Sequence, residues 1–128
     1  MILRKTFVNF SLAAMLITAA LGAAQAQEKT ATVKGYVLDS ACAYIKNLKK
    51  PVSADCALAR AKAGSPLVIL ADDGTIYWPI SDSMPATGQN QRLMKFAGGR
   101  VIARGKSFER GGSHALVIEG IEVAPDSK

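Results

Sequence analysis

The chain has 128 residues, 49% of them hydrophobic, 20% charged and 6% aromatic, with a formal net charge of +6. That balance fits one small folded domain and excludes a largely disordered chain or a multi-domain enzyme. No helix-long apolar run occurs after residue 26, which excludes a polytopic membrane protein.

The chain opens with Arg4 and Lys5, an apolar stretch from Phe7 to Leu21, and Ala24-Gln25-Ala26. This layout predicts a secretory signal peptide over 1–26, cut between Ala26 and Gln27, and a single domain over 27–128. The apolar stretch is short for a membrane span, and no Cys stands at the cut to carry a lipid. Losing Arg4 and Lys5 leaves 14 basic against 10 acidic side chains, a mildly basic chain. Lys46, Lys49 and Lys50, with Arg60 and Lys62 further along, read as a solvated face in preference to an anion or membrane site.

Thr30 to Asp39 alternates residue types and is rich in Thr, Val and Tyr, which predicts a first strand. Periodicity is lost from Ser40 to Pro51, an excursion that Asp39 and Ser40 are placed to start by capping or turn formation. Ser53 is a predicted N-cap for a helix over Ala54 to Ala63, with Asp55 in its first turn and Gly64 just past its end. Leu67 to Ala71, the turn Asp72-Asp73-Gly74 and Thr75 to Trp78 predict a hairpin of the second and third strands, which Pro79 ends. Ser81 to Asn90 is a loop, read as a connector with a lid or partner surface as the alternative. Gln91 to Ala97 is predicted to form one or two helical turns. Arg100 to Phe108 and Ala115 to Val123 make the fourth and fifth strands, joined by a glycine turn. A bulge at Gly120 would let Leu116, Ile118, Ile121 and Val123 all face inward.

The predicted fold is therefore mainly β with short helices: a five-stranded OB-like barrel with a helix between the third and fourth strands. A helical excursion between the first two strands is its distinguishing addition. Export places the only two cysteines, Cys42 and Cys56, in an oxidising compartment, and one disulfide pinning the excursion is the economical reading. Closing a loop of about 15 residues would contribute about 3 kcal/mol in the chain-entropy model. The alternative is a reactive or metal-binding thiol pair with His114 as a third ligand, a scattered set without C-x-x-C spacing.

The segments Val33-Lys34-Gly35-Tyr36-Val37-Leu38-Asp39-Ser40-Ala41-Cys42, Asp55-Cys56, Asp73-Gly74-Thr75-Ile76-Tyr77 and Phe96-Ala97-Gly98-Gly99-Arg100-Val101 resemble small exported bacterial proteins of uncharacterised function with an OB-like fold. The resemblance spans nearly all of 27–128, and Asp-Ser-x-Cys is its most distinctive motif. Similar sequences place a further Cys one turn after Cys56, where this chain has Arg60. That departure argues against a carried-over three-thiol site.

Tyr36, Tyr77, Trp78 and His114 are the candidate ligand-binding residues. OB-like barrels bind along the face of the second and third strands, yet adjacent residues point to opposite faces, so only one of Tyr77 and Trp78 can look onto it. Trp78 is assigned to core or loop packing. A catalytic set of Asp39, Ser40, Cys42 and His114 lacks any supporting motif, so no catalytic residue, metal or cofactor is expected. The expectation is a monomeric, periplasmic or secreted, non-catalytic binding or interaction domain without a membrane anchor. Its partner would be a small molecule, glycan or protein of the cell envelope, and not nucleic acid, given few aromatics and modest charge. The alternative is a metal- or redox-linked periplasmic accessory protein using Cys42, Cys56 and His114.

Overall fold

A computed structural model of the chain describes residues 27–46 and 53–125. The predicted signal segment, Ala26 at its cut, and Lys49 and Lys50 lie outside the described residues. In chain order the elements are β1 (Gln27–Asp39), α1 (Ser40–Tyr44), α2 (Ala54–Lys62), β2 (Leu67–Ala71), β3 (Ile76–Pro79), α3 (Asn90–Leu93) running into a 3₁₀ turn (Met94–Phe96), β4 (Arg100–Arg110) and β5 (Ser113–Val123). The strands close into a barrel in the order β1-β2-β3-β5-β4. Among the described residues only the β3–β5 pairing is parallel. With α3 between β3 and β4, this is the predicted OB-like barrel.

β1 is long because it serves two partners. It pairs with β4 from Gln27↔Glu109 to Tyr36↔Arg100, and with β2 from Gly35↔Ala71 to Asp39↔Leu67. Gly35 sits at the handover, where the backbones approach so closely that a Cβ would lie 2.1 Å from the Leu70 carbonyl oxygen. Only glycine fits such an approach without moving backbone. The β2–β3 turn is held as the sequence predicts: Asp73 Oδ1 accepts from the Thr75 N–H at 2.9 Å, and Gly74 takes φ +90°. On the far side of the barrel, Arg104 pairs with Gly120 but Gly105 with Ile118, so Glu119 is the extra residue of a bulge. Leu116 and Ile118 therefore face the core and Ile121 packs against it. Val123, expected to face inward, is 63% exposed.

The core is the barrel interior, where Val37, Ile69, Val101 and Leu116 meet Leu93 and Phe96 from the segment between β3 and β4. Fully burying side chains of this size stabilises the fold by about 1.5–3 kcal/mol each. A second apolar layer lies outside the barrel. Leu38 and Val68 pair in register and are fully buried although they point away from the interior, because α1 and α2 pack on this part of the sheet.

The predicted disulfide is overturned: Cys42 and Cys56 are both free. The helix phases explain why. α2 turns Ala57 and Ala61, one turn apart, to the protein, which leaves Cys56 on its exposed side. Cys42 is buried in the first turn of α1, beneath the capping side chain of Asp39.

Candidate functional site

The half-buried outer face of β1, β2 and β3 carries the site. Tyr36 stands opposite Leu70, and Leu70 opposite Ile76, so register alone places these three side chains in a row across three strands. They floor a cavity of about 360 Å³. Ala43 of α1 forms one wall and the Asp72-Asp73-Gly74 turn forms the rim. β4 extends the same row, since Tyr36 also pairs with Arg100. The Arg100 guanidinium forms an ion pair with Asp72, its Nε lying 3.4 Å from Asp72 Oδ1. Asp73 is held below the usual carboxylate range by its hydrogen bonds from Thr75, chiefly that of the backbone N–H.

The four sequence candidates separate into two pairs. Tyr36 and Trp78 belong to the outer face. Trp78 is half-buried, and it meets Tyr44 of α1 with ring centroids 6.2 Å apart and its indole N–H donating to the tyrosine hydroxyl at 3.1 Å. Of the two roles expected for Trp78, it packs on the excursion between β1 and β2 and not in the core, and Tyr77 is the residue packed against the core. Tyr77 faces His114, its register partner in β5, edge-on with centroids 5.7 Å apart. Burial pushes the Tyr77 phenol above its usual value, reinforced by the carboxylates of Asp73 and Glu109. This pair borders a smaller cavity of about 190 Å³ with Lys29, Ser107 and Glu109.

Asp39 and Ser40 do start the excursion. Asp39 caps α1, its Oδ1 accepting from the Cys42 N–H at 2.9 Å, and the Ser40 N–H donates to the Pro66 carbonyl at 2.9 Å. The Cys42 thiol lies 3.5 Å from Asp39 Oδ2, and Arg60 of α2 reaches both residues, donating to the sulfur and lying 3.3 Å from Asp39 Oδ2. Burial and the Asp39 carboxylate raise the Cys42 thiol, outweighing the opposing pull of Arg60 and Lys46. A raised, buried thiol is protonated at neutral pH and a poor nucleophile. His114 stands with Tyr77, not with Ser40 or Cys42, so the structure does not gather the catalytic set. No cluster of three or more His, Cys, Asp or Glu able to hold a metal occurs among the described residues.

Sequence reasoning missed Tyr44, Leu70, Ile76 and Arg60. The first three become visible only once strand register and the position of α1 are known. No family model matches the chain, and no curated protein or solved structure matches it either.

Proposed function

We propose that the chain is an exported, non-catalytic binding domain of the cell envelope that takes a small molecule, or the end of a glycan, in the cavity floored by Tyr36, Leu70 and Ile76. One observation carries this reading: the cavity lies on the face of strands 2 and 3 and is walled by the segment joining strands 1 and 2. OB barrels use that region for oligonucleotides and oligosaccharides. Its volume of about 360 Å³ falls within the range of ligand pockets, and its apolar floor with a few polar groups at one side is the usual composition of such sites. The separation of His114 from Ser40 and Cys42 favours binding over nucleophilic chemistry. The N-terminal pattern of Arg4, Lys5, an apolar stretch and Ala24-Gln25-Ala26 supports export.

The test is a ligand-observed NMR screen of small ring compounds and short oligosaccharides against the wild-type chain and a Leu70→Arg variant. Binders that are lost in the variant support the reading. Binders that are indifferent to it move the site elsewhere.

A further inference from the structure

We propose that this cavity selects organic cations, taking a small apolar or aromatic body on Tyr36, Leu70 and Ile76 and a protonated amine at the Asp72–Asp73 rim. The inference rests on the binding reading above and names the ligand class.

Charge placement carries it. Without Arg4 and Lys5 of the predicted signal segment the chain holds 14 basic and 10 acidic side chains, so a cavity that followed the overall charge would be mildly basic. This one runs the other way: it has two adjacent carboxylates, and none of the described residues lining it is Lys, Arg or His. The two carboxylates are not equivalent. Asp72 is partly neutralised by Arg100, which reaches it from the neighbouring strand. Asp73, exposed at the rim, has one oxygen accepting the Thr75 N–H and forms no salt bridge among the described residues, with His114 exerting a weaker electrostatic pull on it. Its depressed pKa keeps it ionised at neutral pH, where an aliphatic amine is protonated.

The other side of the same turn provides an internal contrast. A cavity of about 430 Å³ there shares Asp72 and Asp73 but adds the basic side chain of Lys34 to its lining. Of these two cavities, the first joins the Asp72–Asp73 rim to an apolar floor with no Lys, Arg or His among the described residues lining it. The floor also includes an aromatic ring, and a cation near the face of Tyr36 is further favoured by the ring quadrupole. An anion entering the cavity meets like charge, and a neutral analogue gains the apolar contact alone.

The experiment compares 2-phenylethylamine, 2-phenylethanol and 3-phenylpropionate, which present the same ring with a positive, neutral or negative end, by calorimetry at pH 7. Emission of Trp78, the chain's one tryptophan, gives a second readout beside the α1 wall. The amine is expected to bind about fivefold more tightly than the alcohol, and the carboxylate more weakly than either. Rim charges in partial contact with water are worth at most about 1 kcal/mol, hence the fivefold scale. The amine's advantage should shrink in 0.5 M salt. Asp73→Asn retains an oxygen for the Thr75 N–H while removing the charge, so it should reduce amine affinity up to about fivefold and leave the alcohol unchanged. Equal binding of amine and alcohol, or tighter binding of the carboxylate, overturns cation selection while leaving the cavity a binding site. Failure of all three probes to bind also overturns it, and the binding reading is then judged by its own screen.

Discussion

The Trp78 indole N–H donates to the hydroxyl of Tyr44, tying the last residue of α1 to β3 across 34 positions of chain. The contact stands beside the cavity, because Ala43 precedes Tyr44 and Ile76 shares the outer face of β3 with Trp78. Tyr44 is 57% exposed, so the bond works in partial contact with water. Removing the hydroxyl alone, in Tyr44→Phe, should cost under about 1 kcal/mol. Tyr44→Ala also loses the ring contact and should cost about 1–2 kcal/mol in urea unfolding, with Trp78 emission moving to the red. Unchanged emission in Tyr44→Ala would mean that the two rings are not in contact in solution.

A second tie holds α2 to the end of β1. Asp39 is only 2% exposed, and the Arg60 guanidinium at 3.3 Å compensates its charge from a half-exposed position. Arg60→Ala leaves that carboxylate without its ion pair and should cost about 1–3 kcal/mol, less than a fully buried pair because water reaches one side. In a double-mutant cycle with Asp39→Ala, which also removes the α1 cap, Arg60→Ala should cost much less in the Asp39→Ala background than in wild type. Strict additivity would show that the contact contributes nothing.

Thiol chemistry separates the two cysteines. Cys56 on the exposed side of α2 should react with a disulfide reagent at the rate of a free thiol, and Cys42 only on unfolding. The raised Cys42 thiol also fixes a pH dependence. A group that holds its proton more tightly when folded adds stability that is fully present below the ordinary thiol pKa and is lost as pH rises through the folded value. Stability of wild type should therefore fall more steeply above about pH 8.5 than that of Cys42→Ala. Parallel curves for the two proteins would remove Cys42 as the cause.

Gly35→Ala tests the barrel's closure. The added Cβ meets the backbone of Leu70 and Ala71, which cannot move aside as a side chain can. The cost should be about 3 kcal/mol or more, at the upper end of overpacking effects, and read as a lowered melting temperature. A melting temperature within a degree of wild type would contradict the close approach of β1 and β2.

The barrel was legible in the sequence because each element carries its own local signal: alternation in β1 and β4, the Asp-Asp-Gly turn, Ser53 ahead of α2 and a phase change at Gly120. What was not legible depends on which way an element faces. Ile76, Tyr77, Trp78 and Pro79 are all half-buried, so the composition of β3 is silent about its phase, and only pairing with Ile69 shows Tyr77 to be the inward residue. The cysteines failed for the same reason. Thirteen intervening residues permit a disulfide, but the phase of α2 is set by Ala57 and Ala61, which carries Cys56 away from Cys42. Arg60 supplies an ionic tie from α2 where a covalent one was expected. The cavity drew its floor from Leu70 and Ile76, apolar residues with no functional signature of their own.

The proposed binding site is the cavity on the outer face of β1, β2 and β3. Its most direct measurement is a map of backbone amide shifts during titration with the ring compounds and oligosaccharides of the screen, in wild type and in an Ile76→Trp variant that fills the cavity. Saturable shifts centred on Tyr36, Leu70, Gly74 and Ile76 are expected, and they should disappear in the variant while its urea midpoint stays near that of wild type. Shifts centred instead on Ser107 and His114, or undiminished in the filled variant, would contradict this assignment.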